Sequence, residues 1–413
     1  MASYREFPRR GWALITRVIY LIAAATTTGS LVGFLLIVWA NIVGAEVLGG
    51  LWSEANGDAL MRTGIVVTSI TAVISIGLVT YFLSLSRATY ARQLGAAAVH
   101  DGELGIPPRR ELAMLRSVNP FIPLYFFSLY FVIFDALALL ILGLALGETF
   151  RYNEESAREG LNVFVSLAAL GVIVVLIFLL AHFVGLRTWK RYTAIAMEVW
   201  APRIATADSR LRAGIPTQAM SARLTPLRAL VIRGSSITLA ISSAAFLLGV
   251  YLRKPGRRAP TQYYDEPVER FIDFLVAASS VITMAALVVL LLALLVAFFS
   301  NTRQLLRLRG FADGTILPTE REGYRRKKRG KSLTAFQDLL AQSWPGQQVG
   351  SILVGIGWGT APFFSVTGAT VPVAWAEWTV PTLLILGALG TGVLLWSDGA
   401  AARSRNRLLE AWS

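Results

Sequence analysis

Long apolar runs separated by polar, mostly basic connections dominate the pattern of this chain. Runs of about twenty or more apolar residues are long enough to cross a bilayer as helices. They fall near 18–41, 63–86, 121–147, 161–186, 229–251, 274–299, 348–371 and 379–397. The pattern predicts an all-α polytopic membrane protein of eight spans, paired as four hairpins. The first members of the pairs begin near 18, 121, 229 and 348, so the hairpin repeats roughly every 103 to 119 residues. Four segments follow: 1–120, 121–225 and 226–347, each a hairpin with its basic connection, and 348–413, the last hairpin with its tail. Two-helix units keep one orientation, so any repeat here is parallel rather than inverted.

The N-terminal apolar run is much longer than the core of a signal peptide, about 7–15 residues, and reads as a retained first helix. Gly29 and Gly33 within it form a GxxxG spacing beside Thr26 and Ser30, a small-residue face suited to close helix packing. Thr68, Thr71 and Ser75 in the second run, and Ser235, Thr238 and Ser242 in the fifth, recur at helical spacing. Such faces suit helix–helix contacts at least as well as an aqueous path.

Charge orients the spans. The net charge is +14, with 39 Lys and Arg against 25 Asp and Glu. With the N-terminus inside, 31 basic residues fall on inner segments and 8 on outer ones, while acidic residues divide evenly. That asymmetry predicts N-in and C-in, in a plasma membrane of bacterial type. Arg253, Lys254, Arg257, Arg258 and Arg270 in the third outer loop are the exception. Trp12, Trp189, Trp344 and Trp396 fall at expected inner boundaries, and Trp39, Trp375 and Trp378 at outer ones.

Composition removes several chemistries. The chain has no cysteine and only two histidines, His100 and His182. Disulfides, thiolate metal sites, iron–sulfur clusters and a cysteine nucleophile are excluded. No HExxH, GxSxG or P-loop motif occurs. No lysine lies in any expected span, which excludes a retinal Schiff base. The chain reads as no enzyme, with no cofactor and no metal.

Asp135 is the main candidate site. It sits near the centre of FIPLYFFSLYFVIFDALALLILGLALG, with Ser128 one heptad earlier on the same face. An ionisable group at mid-membrane is costly and faces protein or water, so it marks a functional site by default. The competing interpretation is one buried carboxyl hydrogen-bonded to a Ser, Thr or Tyr of a neighbouring helix. The seventh run offers a second candidate, with Gly355, Gly357 and Gly359 around Trp358 and Pro362 after them. A helix broken there would expose backbone groups to a ligand; close packing with a proline kink is the favoured alternative.

The segment RRKKRGKSLTAFQDLLAQSWPG brings in lipid. Arg325, Arg326, Lys327, Lys328, Arg329 and Lys331 would meet anionic headgroups at about 1 kcal/mol per basic residue. After a possible N-cap at Ser332, Phe336, Leu339, Leu340 and Trp344 form a stripe expected of an interfacial amphipathic helix. No aromatic platform on a folded domain suggests nucleic acid. The leading functional expectation is a transporter or channel-like permease with its polar site near Asp135. The alternative is a non-catalytic subunit, docking a membrane partner or another copy through its basic face or small-residue helix faces.

Overall fold

The computed structural model describes residues 3–47, 54–101, 105–117, 119–149, 154–214, 226–253, 266–312, 340, 344–370 and 376–412. Side chains of 34–73 and 363–377, with a few others, lie outside that description. Among the described residues the chain is all-helical, without strands. Six of the described helices are long and apolar enough to cross a membrane.

The helices are α1 (Trp12–Val47), α2 (Glu54–Asp101), α3 (Arg109–Arg116), α4 (Ile122–Thr149), α5 (Glu154–Leu180), α6 (Leu186–Trp200) and α7 (Ile204–Gly214). They continue with α8 (Pro226–Arg253), α9 (Glu266–Ala312), α10 (Pro345–Thr370) and α11 (Ala376–Trp412). Two compact units emerge, one of residues 1–34, 55–214 and 346–413, the other of 35–54 and 215–345.

In the first unit, several stretches that read as polar connections are helical. The α2 helix continues past the end of its apolar run to Asp101, because residues 87–101 contain five alanines and no proline. The helix α5 passes through a π turn at Ala181–Gly185 and carries on as α6 to Trp200. These extensions bury a core of their own, including Tyr90, Leu94, Ile106, Leu115, Trp200 and Leu211. Packing of this kind lies outside the apolar runs. It arises because α3 and α6 are amphipathic: Leu112 and Leu115 on one, and Trp189, Ala196 and Trp200 on the other, are buried by neighbours that hydropathy along the chain does not reveal.

The N-terminal segment is laced into this layer. Tyr4 pairs with Ile106 as a parallel bridge, the amide of Arg5 donating to Ile106 O at 2.8 Å and the amide of Ile106 to Ser3 O at 2.8 Å. Gly105 permits that approach: its φ is +143°, and a Cβ there would lie 2.8 Å from the Cβ of Arg5.

In the second unit α8 and α9 pack side by side and antiparallel. Gly249 faces Val276, and the Thr283 hydroxyl donates to Ser242 Oγ at 3.0 Å. Ser242 is thus an inter-helix contact, while Thr238 on the same stretch is exposed.

Candidate functional site

Asp135 lies between α4 and α5. The two helices run antiparallel with a regular register: Phe121 meets Gly185, Leu146 meets Gly160, and Phe164 meets Gly143. Large side chains fill the notches left by glycines on the opposite helix. Asp135 occupies one such notch. A Cβ on Gly171 would lie 2.0 Å from its Oδ2, so any larger residue there would oblige the carboxyl to turn aside.

The Asp135 side chain is half-buried, and Ser128 on the same face is buried. Among the described residues no hydrogen bond to Asp135 occurs, so the Ser, Thr or Tyr partner of the structural interpretation is not found there. Nearly three turns toward the start of α4, the Tyr125 hydroxyl is hydrogen-bonded to His182 Nδ1 within the same helix pair. Phe178 stacks on the His182 ring at a centroid separation of 6.1 Å. Outer faces of the pair are apolar and exposed, with Phe126, Leu129, Phe134, Val165, Ile173 and Leu176 among them. Contiguous apolar surface of this extent needs a covering medium, which a bilayer supplies.

The second candidate resolves into packing. The helix α10 is continuous from Pro345 to Thr370 with Pro362 inside it, so no break exposes backbone at Gly355, Gly357, Trp358 or Gly359. Instead α10 uses glycines on two faces. Toward α1, a Cβ on Gly29 would overlap the carbonyl of Gly355, and one on Gly359 would lie 2.9 Å from the Cα of Gly29. The Ser30 hydroxyl donates to Gly359 O at 2.7 Å. Toward α11, a Cβ on Gly357 would lie 2.6 Å from Leu383 O, and one on Gly387 would lie 2.7 Å from Trp358 Nε1. The approaches at Gly29, Gly359 and Gly357 are to backbone atoms, and at Gly387 the indole of Trp358 takes the space a side chain would need.

The basic run from Arg325 to Lys331 lies outside the described residues, as do Ser332, Phe336 and Leu339. Leu340 is described and buried.

Sequence reasoning missed a third constellation, in the layer formed by the helix extensions. Glu6 is gripped by Arg405, whose Nη2 donates to Glu6 Oε1 at 2.6 Å while its Nε donates to Oε2. Asn406 closes the clamp: its Nδ2 donates to Glu6 O at 2.8 Å and its Oδ1 accepts from the Glu6 amide at 2.7 Å. The Tyr4 hydroxyl donates to Asp208 Oδ1 at 2.7 Å. Tyr90 donates to Phe7 O at 3.0 Å, and the Arg9 guanidinium lies over its ring, 4.4 Å from the centroid.

Glu111 stands beside Tyr90 in this layer. Burial, and then the nearby negative charge of Glu6, raise its carboxyl from 4.5 to about 8 against the opposing effects of Tyr90, Arg9 and Arg405. Burial also lowers Arg110, with Arg405 and Arg9 adding like charge. Tyr4 and Tyr90 are both raised, chiefly by burial. No short motif could have flagged this cluster, since Glu6 and Arg405 are 399 residues apart.

Among the described residues no group of three or more His, Asp and Glu could hold a metal ion. No family model matches the chain, and neither a curated protein nor a solved structure matches it.

Proposed function

We propose that this chain is an eight-span, four-hairpin integral membrane protein, N-in and C-in, that works as a transporter or channel-like permease with Asp135 as its polar site. One observation carries the reading: the Asp135 carboxyl sits in a glycine notch with no hydrogen-bond partner among the described residues. Placing an aspartate at the centre of a span costs about 2.5–3.5 kcal/mol on insertion scales. A carboxyl kept there only for structure would be expected to regain part of that through a hydrogen bond. Among the described residues Asp135 has no such bond, which suits a group that exchanges a proton or holds a cation in passing. On this reading the protein is not an enzyme and needs no cofactor.

The test is flux in proteoliposomes, with proton and monovalent-cation indicators enclosed. Asp135→Asn should abolish flux and Asp135→Glu should keep a measurable part of it. Flux unchanged in Asp135→Asn would sink the reading.

A second reading, a non-catalytic subunit that docks a partner, has its own support in the packed layer of α3, α6 and α7, which no permeation step requires. Gentle purification from native membranes separates the two: a stoichiometric partner favours the subunit, and a lone protein stabilised by a transported ion favours the permease.

A further inference from the structure

The helix pair that holds Asp135 carries a second set of proton-bearing groups toward the start of α4. The Tyr125 hydroxyl lies 2.5 Å from His182 Nδ1 and ties the two helices together there. Their rings stand 5.2 Å apart, and Phe178 closes on both, 5.5 Å from Tyr125 and 6.1 Å from His182. Asn119 Nδ2 lies 3.5 Å from the same hydroxyl. His182 belongs to the π turn Ala181–Gly185, against which Phe121 fits: a Cβ on Gly185 would lie 2.6 Å from its ring. Single π turns inside regular helices occur frequently at functional sites. Phe178 and Phe183 flank the imidazole on its own helix, and Arg187 lies over the Phe183 ring, 6.0 Å from its centroid. Among the described residues no carboxylate or cation is bonded to His182, and its Nε2 makes no hydrogen bond.

Both sites line one seam. Tyr125, Ser128 and Asp135 follow at spacings of three and seven along α4, with Ser128 buried, and His182 and Gly171 face the outer two from the partner helix. An imidazole bonded to a phenol can pass a proton along. A proton taken up at Tyr125 Oη is matched by transfer of the hydroxyl proton to Nδ1 and release of the proton on Nε2. Only O–H and N–H bonds form and break, and no charge stays behind. A metal cation makes different demands, since it needs several oxygen ligands once its water is stripped. Asp135 offers a single carboxyl, with Oδ2 turned toward Gly171, and among the described residues no three His, Asp or Glu gather to help it.

We propose that the ion exchanged at Asp135 is the proton, and that Tyr125 and His182 form the station through which it enters or leaves the seam between α4 and α5. This rests on the permease reading above. Ten residues of helix separate Tyr125 from Asp135, about 15 Å, which is too far for one hop. Water relays the proton over that distance, past the Ser128 hydroxyl.

The test uses the full-length protein in proteoliposomes, with pH, sodium and potassium indicators enclosed in separate preparations. The wild type is expected to move protons under a membrane potential and to move neither metal ion. His182→Gln can still accept from Tyr125 but relays no proton, and should slow proton flux about a hundredfold, the low end for a positioned proton-transfer group. Tyr125→Phe should slow it as well, and serves in its place if His182→Gln does not fold. A direct readout is ¹⁵N-histidine NMR on His100→Gln protein, in which His182 is the remaining histidine. Its ring signals should move with pH from about 5 to 8, and the Nδ1 signal should shift in Tyr125→Phe. Three results overturn the inference while the permease stands: flux that is lost in Asp135→Asn but carried by sodium or potassium, proton flux undiminished in His182→Gln and Tyr125→Phe, or ring signals indifferent to pH. Absence of flux for all three ions, or proton flux unchanged in Asp135→Asn, removes the permease reading and the inference with it.

Discussion

Gly171 shows how one absent side chain makes room for another. It carries no Cβ, and the space a Cβ would take holds the Asp135 carboxyl. Gly171→Ala should push the carboxyl aside and destabilise the protein by no more than about 1 kcal/mol, because the atom it meets is the tip of a flexible side chain. The same change in an Asp135→Ala background should cost much less, because the atom it meets is gone. A double-mutant cycle on chemical or thermal unfolding in detergent measures that coupling. Glu111 makes a second prediction at this scale. Its carboxyl titrates near 4.5 when free and at about 8 in the folded chain, so the folded state holds the proton more tightly. The resulting stability is complete below about 4.5 and is lost as pH rises through about 8. Melting temperature should fall across that window in the wild type and fall less steeply in Glu111→Gln.

Helices here are fitted to one another by where they lack side chains. The seam of α1 against α10 depends on Gly29, Gly355 and Gly359, and that of α10 against α11 on Gly357, Gly387 and Gly390. Hydrocarbon provides no hydrophobic drive for helices to associate, so contact of this closeness supplies the dispersion energy that replaces it. Gly29→Ala forces a methyl into the Gly355 carbonyl, a backbone group that cannot rotate aside. Its melting temperature should drop by the equivalent of about 1–3 kcal/mol. Gly234→Ala in α8 is the control, since a Cβ there meets nothing within 4 Å. It should be neutral or slightly stabilising, given the helix propensity of alanine. Differential scanning fluorimetry of the two variants side by side decides the matter.

At the scale of the whole chain, the Glu6–Arg405 clamp joins the two ends of the sequence. Both residues are buried, and Asn406 adds two hydrogen bonds to the Glu6 backbone. Removing one partner strands the other in a poorly solvated place. Arg405→Met should cost about 3–5 kcal/mol, as breaking a buried pair generally does. It should also open the N-terminal segment to protease. The double variant Glu6→Gln with Arg405→Met should recover much of the loss, because no lone charge remains. Limited proteolysis with N-terminal sequencing, alongside melting curves, reads both effects.

Much of the fold was legible in the sequence because hydrocarbon imposes one dominant constraint. Any segment that crosses must satisfy its own backbone hydrogen bonds, so a long apolar run has to be helical. The residue types near the middle of each run were equally legible, and Asp135 stood out by chemistry alone. Pairing was not. Which glycine faces which helix depends on register and rotation, and the GxxxG at Gly29 could name a packing face but not Gly355 as its partner. The Gly/Pro pattern at 355–362 was ambiguous for the same reason: it suits a broken helix and a tight seam alike, and the position of α1 and α11 decides between them. Least legible was the layer built by α3, α6, α7 and the N-terminal segment. Its charges come from four distant stretches, and each looks like an ordinary solvated basic connection until the others bury it. Length, periodicity and charge asymmetry are local quantities and can be read along a chain. Burial, unmet donors and the sum of charges around an arginine are properties of neighbours, and they exist only once the helices have packed.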